Sequence, residues 1–131
     1  MGPTPVRAIL DTSVLIARDV PRLEGELAIS AVSLVELNFG VLVAKDNSVR
    51  AERLRRLTTL QRTFSALAVD DTVASSYGEL AAAVVAAGRR PRSRSMDLLI
   101  AATAHAYSAR LYTRNANDLA GLEDLIDIVS V

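Results

Sequence analysis

The segment Val6–Ala17 reads VRAILDTSVLIA. Its two apolar runs, Ala8–Leu10 and Val14–Ala17, close around Asp11-Thr12-Ser13. A short apolar run bounded by turn-forming residues is the signature of a buried parallel strand that feeds a helix. This spacing predicts a strand over Val6–Leu10 and a short helix over Thr12–Asp19, with a carboxylate at the point where the strand stops.

The same pattern recurs outward from this segment. Further strands are predicted at Leu27–Ile29, Ala66–Val69, Leu111–Thr113 and Ile126–Val131. Ser30 is a good cap for a helix over Ala31–Val43, and Ser48, in a polar turn, for one that runs to Phe64 with Leu54, Leu57, Leu60 and Phe64 as its apolar stripe. An Ala-rich helix starts at Asp70 or Asp71 and stops at Gly88, which suits the position just beyond a helix end. Arg89–Arg94 reads as a loop, and Ser95-Met96-Asp97 opens a last helix through roughly Ser108. Strands alternating with helices imply an α/β architecture, a small and mostly parallel sheet flanked by helices, within one domain over residues 1–131.

Composition narrows the function classes. Fifteen basic and fifteen acidic residues cancel, so any nucleic-acid surface must be local, and fourteen of the basic residues are Arg. With no cysteine there is no disulfide framework and no thiolate metal site, which fits a reducing compartment. Asp11 splits the first apolar segment and so removes a signal-peptide reading. No run approaches the length of a membrane span, and a cytoplasmic protein is expected.

Four acids stand where a parallel sheet binds ligands, beyond the carboxyl ends of its strands and at the helix starts that face the same crevice. Asp11 follows the first strand, Asp118 lies just past the strand ending at Thr113, Asp97 opens a helix, and Glu36 sits in an apolar helical segment. Singly, Asp11 could be a helix cap and Asp97 a partner of the helix dipole. Glu36 is harder to place that way, because an ionised carboxylate among apolar neighbours is costly unless paired or bound to a metal. Clustered carboxylates repel one another unless a cation neutralises them, and oxygen-only ligands select hard cations such as Mg²⁺ or Mn²⁺. His105 stands alone in an Ala-rich helix and reads as a packing or surface residue.

The order Asp11-Thr12-Ser13, Glu36-x-x-x-Gly40, Asp97-x-x-Ile100-Ala101 and Thr113-Arg114-Asn115-x-x-Asp118 resembles the PIN-domain ribonucleases, above all the VapC-type toxins of toxin–antitoxin pairs. The resemblance spans nearly the whole chain. It implies a three-layer PIN-like fold and a Mg²⁺- or Mn²⁺-dependent endoribonuclease. In that reading Asp11, Glu36, Asp97 and Asp118 are the catalytic acids, with Asp11, Asp97 and Asp118 holding the metal and Ser13, Thr113 and Asn115 in support. Either Asn115 or Asp118 takes the fourth acid's place, and Leu119 stands where the family often has Phe.

The resemblance also implies an RNA substrate, tRNA or ribosomal RNA foremost, together with a small VapB-type antitoxin and a homodimer. Arg89, Arg90, Arg92 and Arg94 offer phosphate contacts immediately before Asp97, or a surface for an acidic partner. Leu15, Ile16, Leu37, Phe39 and Val43 exceed what one small core needs, and some are expected to meet a partner. The rival from another class is a catalytically silent PIN-like module that binds RNA or protein. A haloacid-dehalogenase-like phosphotransferase would show an acid at Ser13, and a receiver domain would need a late lysine, whereas Lys45 is the sole lysine.

Overall fold

The computed structural model describes residues 7–131 and contains a five-stranded, wholly parallel sheet. In chain order the elements are β1 (Arg7–Leu10), α1 (Thr12–Ile16), β2 (Glu26–Ser30), α2 (Ala31–Leu42), α3 (Asn47–Thr63), β3 (Ala66–Leu67), α4 (Asp71–Ala86), α5 (Ser95–Ala106), β4 (Arg110–Thr113) and β5 (Ile128–Ser130). Two 3₁₀ turns, Pro91–Arg94 and Ala116–Leu119, precede α5 and follow β4. Val6, at the edge of the predicted first strand, lies outside the described residues.

The strand order β3-β2-β1-β4-β5 places β1 at the centre. Successive strand residues point to opposite faces, and the two halves of the core follow from that alternation. Ile9 and its register partner Leu111 join Leu80, Leu98, Ile100 and Leu122 on the α4/α5 face. Ala8, Leu10 and Tyr112 join Val14, Leu15 and Ile29 on the α1/α3 face. Leu15 is therefore a core residue and leaves the set expected to meet a partner. Leu54 is exposed, so the buried stripe of α3 reduces to Leu57 with Leu60 and Phe64 beside it.

Several boundaries differ from the sequence expectation for identifiable reasons. Helix α1 stops at Ile16 rather than Asp19, and Arg56 of α3 takes its freed carbonyls, with Nε donating to Leu15 O at 2.9 Å and Nη2 to Ala17 O at 2.9 Å. Asp46, not Ser48, caps α3: its Oδ1 accepts from Val49 N at 2.8 Å, and a carboxylate also complements the positive end of the helix dipole. Asp70 caps α4, leaving Asp71 in the first turn. The segment expected as a loop over Arg89–Arg94 contains the 3₁₀ turn Pro91–Arg94, with Pro at its start. The strands at Ala66–Val69 and Ile126–Val131 shorten to Ala66–Leu67 and Ile128–Ser130.

Gly88 ends α4 as expected. With φ +78° it lets Arg89 N donate to Val84 O and Gly88 N to Val85 O, which satisfies carbonyls the helix leaves open. Helix α5 ends in the same motif, Ala109 N donating to Ala104 O at 2.8 Å, but Ser108 occupies the left-handed position at φ 51°. A Cβ there costs about 1 kcal/mol or more, part of which glycine returns as unfolded-state entropy. Ser108→Gly is expected to stabilise the protein by roughly 0.5–1 kcal/mol in urea denaturation; an unchanged or lowered midpoint would refute the strain.

Candidate active site: four carboxylates at the switch point of the sheet

Chain connections leave β1 toward β2 on one side and return to β4 on the other, so the strand order reverses between β1 and β4. The crevice beyond the carboxyl ends of the strands at such a point is where open α/β sheets bind ligands. Asp11 is the first residue past β1, and its N–H donates to Tyr112 O of β4 at 2.9 Å.

Asp11 is only 7% exposed, yet its side chain caps no helix amide. Its Oδ2 instead accepts hydrogen bonds from Ser13 Oγ at 2.7 Å and Thr113 Oγ1 at 2.8 Å. Backbone amides lock both hydroxyls in turn: Arg114 N donates to Ser13 Oγ and Asn115 N to Thr113 Oγ1, each at 3.0 Å. The hydroxyl protons are thereby directed at Asp11, and both bonds fall on one oxygen, so Oδ1 keeps its lone pairs for whatever enters the crevice.

Glu36 is positioned from the other side. Ser33 and Glu36, three residues apart on α2, share a face. Thr12 Oγ1 lies 2.8 Å from Glu36 Oε1, to which it donates, and 2.8 Å from Ser33 Oγ. Neither Thr12 nor the buried Ser33 stood out in the sequence as a site residue. The signal was present in the helical spacing of Ser33 and Glu36, but nothing local says that α1 packs against that face.

Asp97 lies in the first turn of α5 and is half-buried. Burial is the largest influence lifting its carboxyl above the usual carboxylate range; the negative charges of Asp11, Glu36 and Asp118 add to it, and the Arg94 guanidinium opposes it. Asp97 is thus within electrostatic reach of all three other acids. Arg94 Nη1 stands 3.1 Å from Asp118 Oδ2. Asn115 is exposed; its backbone amide donates to Thr113 Oγ1 and its carbonyl accepts from Asp118 N at 2.9 Å. His105 is apart from the crevice: it joins α5 to α4, with Nδ1 2.8 Å from Ser76 Oγ and Nε2 3.4 Å from Glu79 Oε2.

The donor set is all carboxylate and hydroxyl, which suits a hard divalent cation. The mutual repulsion felt at Asp97 is what such a cation would relieve. Among the described residues no three acids or imidazoles already stand at the spacing of a finished coordination shell, so the side chains would have to draw together around an ion.

The PIN-domain family model matches residues 8–120. The chain belongs to that family. Ribonuclease VapC5 of Mycobacterium tuberculosis is 35% identical over 129 residues, spanning 94% of this chain and 93% of that protein. Ribonuclease VapC4 of the same organism is 33% identical over 131 residues, spanning 95% and 97%. A crystal structure of a member of the VapBC family of toxin–antitoxin systems, VapBC-5 from Mycobacterium tuberculosis, matches with a TM-score of 0.83 at 34% identity over 97% of this chain and 98% of that one. VapBC2 from Rickettsia felis, at 22% identity and a TM-score of 0.76 over 96% and 99% of the two chains, shares the fold. Within the PIN-domain family the similarity is to VapC-type toxins.

Because folding raises the Asp97 carboxyl above 3.8, its ordinary value, the native state holds that proton more tightly than the unfolded chain does. The unfolded state then binds fewer protons across the window from 3.8 upward, so this group's contribution to stability falls as pH rises through it. With a chelator present, Asp97→Asn is expected to be more stable than the parent chain at neutral pH, the gap closing as both are taken to acid below the ordinary carboxyl value. A gap that persists unchanged in acid, or a variant less stable at neutral pH, would contradict the crowding of these acids.

Proposed function

We propose that the crevice is the active site of a metal-dependent endoribonuclease toxin that a small VapB-type antitoxin neutralises. The observation that carries this reading is the three carboxylates whose charge is felt at Asp97, with one of them, Asp11, fixed by two hydroxyls. Asp11, Asp97 and Asp118 would hold Mg²⁺, or Mn²⁺ in its place. Such an ion supplies charge neutralisation at the phosphate and a more acidic bound water. Among the candidates for the fourth acid we favour Asp118 over Asn115, because Asp97 senses its charge and an amide cannot supply one.

The chain's own contribution is orientation and proton handling. Ser13 and Thr113 hold Asp11 Oδ2, so its other oxygen faces the crevice in one orientation. Thr12 occupies Glu36 Oε1, which leaves Oε2 to orient the attacking water and take its proton. In-line attack forms a bond from the water oxygen to phosphorus as the bond to the 3′ oxygen breaks. The 3′ oxygen receives a proton, giving a 5′-phosphate and a 3′-hydroxyl. Arg90 and Arg92, exposed before Asp97, supply phosphate contacts to the RNA, of which tRNA and ribosomal RNA are the candidate classes.

The partner reading rests on α2. Val35, Phe39 and Leu42 form one exposed face at helical spacing, Phe39 being 66% and Leu42 73% exposed, and Ile16 and Val43 continue it. Beside this face a groove of about 490 Å³, lined by Ile16, Leu37, Gly40, Arg53 and Leu57, runs up to Thr12 and Glu36. An antitoxin segment seated there would lie against Glu36. A second copy of the chain sharing the apolar face gives the homodimer. Residues 1–131 act in this reading as one PIN unit.

RNA cleavage with Mg²⁺ tests the assignment. Asp11→Asn and Asp97→Asn are each expected to lower the rate at least about a hundredfold while both variants stay folded. Cleavage by either at the parent rate would exclude the site and favour the silent-module alternative.

A further inference from the structure

The four arginines of residues 89–94 do not do the same thing. Arg89 braces the turn that carries Asp118, its Nη1 donating to Asn117 O at 3.4 Å and to Ala120 O at 3.3 Å. Arg94 pairs with the Asp118 carboxylate itself at 3.1 Å. Arg90 and Arg92 form no side-chain ion pair among the described residues. Arg89, Arg90 and Arg94 line a pocket of about 280 Å³ that also includes Ser93, Leu98 and Asp118. Asp118 in addition lines a separate polar pocket with Arg114, Asn115 and Ser130. Asp118 therefore sits on the wall between a basic pocket and the mouth of the sheet, and Arg94 reaches it from the basic side.

The pair is open to solvent, with side chains 42% and 31% exposed. Ion pairs this open shift an equilibrium by no more than about fivefold, so such a pair can exchange partners readily. A guanidinium and a divalent cation cannot both take the same carboxylate oxygen at full strength. When Asp118 turns to a cation, Arg94 is left beside Arg90 with a planar fork of donors, the geometry that binds phosphate through two parallel hydrogen bonds. The charge of Arg94 also reaches Asp97, where it is the one group that offsets the three carboxylates.

We propose that Arg94 is a positioning residue that exchanges between Asp118 and an RNA phosphate in the basic pocket, so that metal binding and RNA binding each favour the other. This rests on reading the crevice as a metal and RNA site. It adds that the chain carries its own competitor for the cation, and that RNA removes the competitor. Arg94 touches the reacting centre only through Asp118 and the substrate.

The test measures Mn²⁺ affinity of the full chain without RNA, by electron paramagnetic resonance at fixed pH, for the parent, R94Q, R94K, R90Q, D118N and D118N/R94Q. R94Q is expected to bind Mn²⁺ about three- to fivefold more tightly, R94K to stay near the parent, and R90Q, a nearby but unpaired charge, to change little. In the D118N background R94Q should have no further effect, which separates the pair from general electrostatics. At saturating Mn²⁺, R94Q should raise KM for RNA several-fold with a smaller change in kcat. Mn²⁺ affinity that is unchanged or weaker in R94Q, or an equal gain in R90Q, overturns the exchange. Tighter Mn²⁺ with an unchanged KM overturns the role of RNA. A parent chain that binds no Mn²⁺ would bring down the metal reading itself, a result distinct from either.

Discussion

A carboxylate at the end of the central strand of a parallel sheet, almost removed from water, has to be given hydrogen-bond donors or its burial is costly. Asp11 meets this requirement with two hydroxyls on a single oxygen, from Ser13 and Thr113. The rest of the site depends on that arrangement. Thr113 is available because β4 runs parallel beside β1, and Ser13 because α1 turns immediately after Asp11. The amides of Arg114 and Asn115 then fix the hydroxyls, so the turn after β4 and the start of α1 are bound into one unit. Its result is a carboxylate with one oxygen committed to the fold and one available to a ligand.

Around this anchor the fold accepts an electrostatic cost. Asp97 comes from α5, Glu36 from α2, which packs against α5, and Asp118 from the turn after β4, yet all are sensed together at Asp97. Mutual repulsion of this kind is uncommon outside functional sites, since a fold gains nothing from it alone. The crevice offsets it with Arg94, and the proposed cation would offset it further. Stability and function therefore pull in opposite directions at Asp97.

Much of this was legible in the sequence because it is local. The apolar run before Asp11 and the turn formers after it announce a strand and its end. The Gly88 helix stop and the Ser30 cap are likewise set by neighbouring residues. Glu36 stood out because its own segment is apolar, and the wide apolar surface of α2 belongs partly to exposed Val35, Phe39 and Leu42 rather than to the core. What could not be read were pairings between distant residues. Thr12 with Glu36, Arg56 with the end of α1, and Arg94 with Asp118 each depend on which helix packs where. Ser48 was misplaced as a cap because Asp46 and Ser48 are both good caps by type, and the chain reaches extended backbone at Asp46. Arg89–Arg94 looked uniform as a charge run, whereas position in the turn divides its members between bracing Asp118, pairing with it, and facing solvent.

In the proposed site Asp11, Asp97 and Asp118 together hold one divalent cation at the switch point of the sheet. Anomalous diffraction from crystals of the full chain grown with Mn²⁺ measures this directly. A peak is expected within bonding distance of carboxylate oxygens from these three residues, with Asp11 Oδ2 still bonded to Ser13 and Thr113. No peak there under saturating Mn²⁺, or a peak confined to other acids such as Asp70 and Asp71, would contradict it.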